Sequence, residues 1–117
     1  MKTEIEIQKE NVKSLIALVN ENPDLRILPM VSGEVVAGDD FSSWAGSFGN
    51  AEIDYIWTDG ERIYFKSIDE EELIEKEIEK LSYFGKRWER SVEEEAEMNI
   101  QNLGWEKVIA VWIGLPQ

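Results

Sequence analysis

The chain has 117 residues and carries 25 Asp and Glu against 12 Lys and Arg, which gives a formal net charge of −13. It contains no Cys and no His, and this excludes disulfides, thiolate or histidine metal sites, and any catalytic triad that needs an imidazole. The length suits one domain, so we expect a single domain over residues 1–117. With 10% aromatic residues, the chain is richer in aromatics than a disordered acidic chain, and a globular fold is expected.

The N-terminal segment has the periodicity of an amphipathic helix. Its apolar residues recur three and four positions apart, at Val12, Leu15, Ile16 and Val19. Thr3 and Glu6 have the spacing of a capping box, and Pro23 disfavours a helical conformation at the residue before it. The sequence therefore predicts a helix over residues 4–21.

Two short strands are predicted after this helix. Residues 26–31 indicate a strand, which Pro29 restricts to a sheet edge or a bulge because proline has no N–H to donate. Residues 34–37 are compatible with a short return strand. Residues 38–50, rich in Gly, Ser and Asp, are expected to form a loop.

A β-hairpin is predicted in the middle of the chain. Residues 51–58 and 61–66 both have strand character, and Asp59-Gly60 between them is typical of a primed turn, which needs positive φ. In the first of these strands, Tyr55 and Trp57 alternate with Asp54, which places Asp54 on the opposite face.

Helical patterns follow over residues 69–103, as two helices or one bent helix. Ser67 and Ser91 each stand three residues before a Glu, at the spacing of a capping box. The two apolar stripes consist of Leu73, Ile74, Ile78, Leu81 and Phe84, and of Val92, Ala96, Ile100 and Leu103. Residues 107–113 predict a central strand, because the apolar run from Val108 to Ile113 is continuous. Together the elements predict an α+β fold: a small, mostly antiparallel sheet of four to five strands, with the N-terminal helix and two later helices packed on it.

Several stretches resemble small uncharacterised acidic proteins encoded by bacterial phages and prophages. The stretches are residues 22–31 (NPDLRILPMV), 33–36 (GEVV), 43–54 (SWAGSFGNAEID), 61–66 (ERIYFK) and 104–113 (GWEKVIAVWI). These stretches span most of the chain, from residue 22 to residue 113, and the resemblance implies a phage context and expression in the cytoplasm of a bacterial host. It implies no activity, because those proteins have none assigned.

The predicted loop over residues 38–50 is one candidate site, since loops this long are often functional. It contains Asp39, Asp40, Trp44 and Phe48. The two aromatic residues could stack on a flat ligand or anchor a partner. The alternative, which we favour, is that they fold back onto the core.

Carboxylates are the remaining candidates for metal binding or catalysis. Possible oxygen ligands are Glu34, Asp39, Asp40, Glu52 and Asp54, but their spacing matches no calcium-binding loop, and such proximity is expected by chance in an acidic chain. Asp54 could act as an acid or base only if it were desolvated, which strand alternation argues against. We therefore expect no cofactor and no catalysis.

The acidic segment over residues 67–99 holds twelve acids and five bases, a net charge of −7. Its exposed carboxylates are expected to include Glu71, Glu75, Glu79, Glu93, Glu94 and Glu97. Such a face can simply keep the protein in solution, or it can bind a basic partner. Trp88, which lies between Arg87 and Arg90, could be an anchor, a dimer contact or a core residue.

These observations favour a non-enzymatic accessory protein that binds a basic protein surface, for example as an anti-defence inhibitor. One alternative is an enzyme that uses a small ligand or a divalent metal at the 38–50 loop, and another is a homo-oligomeric assembly protein, a homodimer included. Direct binding to nucleic acid or to a membrane is not expected, because the net charge repels phosphate groups.

Overall fold

The computed structural model describes residues 1–36, 43–84 and 91–115. In chain order its elements are α1 (Glu4–Glu21), β1 (Arg26–Val31), β2 (Ser47–Thr58), β3 (Ile63–Phe65), α2 (Lys66–Phe84), α3 (Val92–Gln101) and β4 (Glu106–Gly114). The described strands form one sheet in the order β1-β4-β2-β3. The α+β class, the N-terminal helix and the two later helices are thereby confirmed.

The sheet is mixed, which corrects the expectation of a mostly antiparallel one. β1 runs parallel to β4, in register from Arg26 opposite Val108 to Val31 opposite Ile113. β2 and β3 form the antiparallel hairpin. The parallel pair joins strands separated by most of the chain, and short-range sequence patterns carry no information on such a pairing. β4 has the central position that its apolar run predicts, and β1 the edge position that Pro29 predicts.

The chain is divided into two compact units. The first comprises Met1–Ile53 and Lys107–Gln117, and the second comprises Asp54–Glu106. This division reflects where contacts are dense, and the single domain expected from the length stays a prediction. The core of the first unit centres on Leu28 and on residues 108–111 of β4, which are buried.

The start of α1 has the predicted capping box. The Thr3 hydroxyl accepts a hydrogen bond from the Glu6 N–H, and the Glu6 carboxylate accepts one from the Thr3 N–H, both at 3.2 Å. No residue of α1 is fully buried. The apolar side of this helix is therefore only partly covered within the first unit.

The predicted return strand over residues 34–37 is wrong where the structure describes it. Residues 33–36 form a turn in which the Val35 N–H donates to the Ser32 carbonyl at 3.0 Å, and Ala37 lies outside the described residues. The second strand instead begins at Ser47, inside the predicted 38–50 loop, and continues to Thr58. Its start therefore could not be identified from a local strand pattern.

The β2–β3 hairpin is confirmed, but its turn differs from the predicted one. Thr58 pairs with Ile63, so four residues connect the strands. Gly60 has a φ of 100°, whereas Asp59 does not have positive φ, as a primed turn at Asp59-Gly60 would require. The return strand ends at Phe65, and Lys66, expected in that strand, already begins α2.

The later helical segment contains two helices. Ser91 has an extended backbone, with φ −62° and ψ 158°, and its hydroxyl accepts the Glu94 N–H, so α3 has its own start as predicted. α3 ends at Gln101, with Asn102 as the cap, so Leu103, the last residue of the predicted helical pattern, lies beyond the helix. α2 begins one residue before Ser67, so Ser67 is not the residue that caps it.

Candidate functional site

The second unit has its core on one side of α2 and α3, which pack against each other. Tyr64, Leu73 and Ile100 form a buried cluster. The half-buried residues that pack on this cluster are Trp57, Ile74, Leu103 and Trp105. Leu81 and Ala96 are also buried, as the predicted stripes require. Because the apolar stripes face inward, the remaining sides of both helices face solvent.

We use the name acidic face for six exposed carboxylates on these outer sides. They are Glu71, Glu75 and Glu79 of α2 and Glu93, Glu94 and Glu97 of α3. Within the described part of the chain, none of the six forms an ion pair. The second unit holds 16 acids and 7 bases, so it carries a net −9 of the total −13. The acidic face supplies six of these 16 acids.

The basic residues that the structure describes in the second unit are mostly engaged away from the acidic face. Arg62 binds Asp69 at 2.9 Å and Glu72 at 3.6 Å, and its guanidinium lies 4.4 Å from the centre of the Tyr64 ring. Lys76 also pairs with Glu72 at 3.6 Å and lies over the Tyr64 ring. Such contacts hold a cation in place. Both cations thus neutralise Glu72, which is not part of the acidic face.

Lys66 is held in a different way. Its ammonium lies 5.7 Å from the ring centre of Tyr55 and 5.9 Å from that of Trp105. The Trp105 indole N–H in turn donates to the Ile100 carbonyl at 2.8 Å, which fixes the ring against the end of α3. Three of the four described cations of this unit are therefore directed toward aromatic rings or Glu72, and none of these three forms an ion pair with the acidic face.

Two other carboxylates are buried at the start of α2. Asp69 is 8% exposed and accepts hydrogen bonds from the Phe65 N–H at 2.8 Å and from Arg62. Asp54 is 5% exposed and accepts the Tyr55 N–H at 2.8 Å, the Ser67 N–H at 3.4 Å and the Ser67 hydroxyl. Asp54 is therefore buried, whereas strand alternation had predicted that it would stay in contact with solvent.

The contacts of these buried carboxylates are structural in kind. Both accept N–H groups at the helix start, where the backbone has donors without intrahelical partners. The lone pairs of Asp54 are engaged by three donors, so the Ser67 hydroxyl is held as a hydrogen-bond donor. The serine spacing pointed to this helix start, but the capping carboxylate comes from β2, thirteen residues earlier, and no local sequence signal identifies it.

The hairpin turn contains a carboxylate, Asp59, whose pKa is changed by its hydrogen bonds. Asp59 accepts N–H groups of Glu61 and Arg62, both at 2.9 Å, and the Tyr64 hydroxyl at 3.2 Å. Hydrogen bonds from these two backbone N–H groups favour the ionised form and lower the pKa of Asp59 below its ordinary value. This places Asp59 in the turn as a structural acceptor.

The predicted loop site is only partly described. Asp39 and Asp40 lie outside the described residues, as does Trp88 of the predicted partner site. Trp44 is half-buried, and Phe48 lies in β2 and not in a loop, with a side chain that is 40% exposed. Glu34 and Glu52 are both exposed. Among the described residues, no group of three acids is arranged to hold a metal ion.

Comparisons with family models, with curated proteins and with solved structures found no match to this chain. Within the described ranges, no helix combines the length and the apolar character that crossing a membrane requires.

Proposed function

We propose that this chain is a non-catalytic protein-binding module whose acidic face docks on a basic surface of a partner protein. The observation that carries the proposal is the arrangement of charge in the second unit. Six exposed carboxylates lack ion pairs within the described chain, while Arg62 and Lys76 neutralise Glu72 instead. A surface of one sign speeds encounter with a surface of the opposite sign and makes binding depend on salt.

The proposed setting is the bacterial host cytoplasm, with the chain as a phage or prophage accessory protein. It is supported by the resemblance described above. An inhibitor of a host defence protein is one concrete form of this function, since proteins that bind nucleic acid carry the basic surfaces an acidic face would recognise. The same charge disfavours direct contact between this chain and nucleic acid.

The first test measures binding of the full chain to an immobilised peptide of alternating Lys and Arg. The variant Glu71→Gln/Glu75→Gln/Glu79→Gln removes three charges from the acidic face, while Gln keeps a similar helix propensity. We expect its dissociation constant to rise several-fold at low salt and the difference to shrink at high salt, because exposed charges are screened.

A matched control removes three charges from the first unit, through Glu21→Gln/Asp24→Asn/Glu34→Gln. All three of these residues are exposed. Both variants have the same net charge, so a general effect of charge would weaken both equally. Equal weakening, or binding that is indifferent to salt, would contradict the proposal. The same pair of variants, used in a pull-down from host lysate, selects partners that depend on the acidic face.

A further inference from the structure

An open apolar groove lies beside α1 in the first unit. Its volume is about 400 Å³, and its walls are Val12 and Ile16 of α1 and Phe48 of β2. Gln8, Lys9 and Lys13 complete its lining. Small-molecule sites have this composition: an apolar surface with a few polar groups that orient the ligand.

The walls of the groove are held in place without a ligand. The side-chain amide of Asn11 donates to the Phe48 carbonyl at 2.9 Å, which ties α1 to β2 at this point. Ile16 is 55% exposed and Phe48 40% exposed, although both face an apolar surface. Covering them would remove apolar area from water, at about 25 cal/mol per Å².

The local charge of the groove is opposite to that of the whole chain. Lys9 and Lys13 form no ion pair within the described residues. Two acids of the same helix are engaged by other groups: Glu10 binds Lys2 at 2.9 Å, and Glu6 accepts the Thr3 N–H. The charged residues that line the groove are therefore Lys9 and Lys13, and both are positive.

We propose that this groove binds a single-chain aliphatic carboxylate. The tail contacts Val12, Ile16 and Phe48, and the headgroup lies between Lys9 and Lys13. A ligand with one negative charge suits the site better than an anionic membrane or an acidic peptide, because these present many charges and the groove offers two lysines. The site shares no residue with the acidic face and does not depend on the function proposed for it.

The test uses the full chain and sodium decanoate, at concentrations below micelle formation, followed by backbone and methyl NMR shifts. We expect saturable shifts at Val12, Ile16 and Phe48. Acetate has the headgroup without the tail, and decyltrimethylammonium has the tail with the opposite charge. Neither is expected to reproduce the shifts.

Charge reversal on the groove distinguishes the site from general attraction. In Lys9→Glu/Lys13→Glu we expect decanoate affinity to fall roughly tenfold or more, which corresponds to about 1.4 kcal/mol. The matched control is Lys80→Glu/Lys107→Glu, which reverses two exposed lysines that do not line the groove and should leave the affinity unchanged. The milder Lys9→Gln/Lys13→Gln serves if the reversal unfolds the chain, as judged by circular dichroism.

Three outcomes would overturn the proposal. The first is the absence of decanoate shifts at the groove. The second is tighter binding of decyltrimethylammonium than of decanoate at the same residues, as the net charge alone would produce. The third is binding to vesicles of anionic lipid without binding to free decanoate.

Discussion

Gly49 shows how a single residue can fix the packing of two strands. A Cβ atom at this position would lie 2.8 Å from the carbonyl oxygen of Trp112, which is closer than real Cβ contacts and involves backbone that cannot rotate away. We expect Gly49→Ala to lower the free energy of unfolding by about 1–3 kcal/mol, the usual range for overpacking. Urea unfolding measures the change.

Gly33 is the matched control for this substitution. It lies in the turn after β1, without positive φ, and a Cβ there would meet nothing within 4 Å. Gly33→Ala should therefore change the free energy of unfolding by no more than about 0.5 kcal/mol. Equal effects of the two substitutions would show that β2 and β4 do not approach each other as closely at Gly49 as described.

The individual residues that could not be predicted from the sequence are those whose partners are distant in the chain. The capping box of Thr3 and Glu6 was predictable because both residues are local. The burial of Asp54 was not, since it depends on the start of α2. The groove that Phe48 lines with Ile16 of α1 was not predictable either, because the two residues are distant in the chain.

Among the elements, β1 lies at an open edge of the sheet, and Pro29 removes one backbone donor from that edge. The Ser32 N–H donates to the Ile113 carbonyl. Because the backbone N–H groups of alternate residues in a strand point to the same side, those of Met30 and Leu28 also point toward β4. The backbone nitrogens of Ile27, Pro29 and Val31 therefore point to the open edge, and Pro29 has no N–H to donate there. A proline at this position discourages another chain from pairing with the edge.

Removing this proline tests its role at the edge. Pro29→Ala adds an N–H in the middle of the open edge, and we expect self-association that rises with concentration, measured by light scattering. Adding Ile27→Lys, which places a charge on the same edge, should reverse that association. A Pro29→Ala protein that stays monodisperse at concentrations where it is fully folded would contradict this role.

The elements themselves were predictable to different degrees. α1 and β4 follow from patterns contained within each segment: helical periodicity in one and a continuous apolar run in the other. The first half of β2 contains Ser47, Gly49 and Asn50, which have low strand propensity, and it is a strand because it lies beside β4. The parallel pairing of β1 with β4 likewise needed the whole chain.

For the whole molecule, the acids of the two late helices differ in what they contribute to stability. Glu71, Glu75 and Glu79 follow one another four residues apart inside α2, where like charges repel by about 0.2–0.5 kcal/mol per pair. Glu93 and Glu94 lie in the first turn of α3, where the helix dipole favours each acid by about 0.3–1 kcal/mol. The acidic face thus combines repulsive and stabilising positions.

This difference predicts opposite signs for two sets of substitutions. Glu71→Gln/Glu75→Gln/Glu79→Gln should raise the melting temperature at low salt, whereas Glu93→Gln/Glu94→Gln should lower it, and added salt should reduce both changes. Thermal melts at two salt concentrations measure this. A variant that becomes more stable as it loses affinity for a basic peptide would show that these acids on α2 lower stability and contribute to binding. If the α2 variant is instead less stable, those glutamates are neutralised within the folded chain, and the acidic face is less available to a partner than proposed.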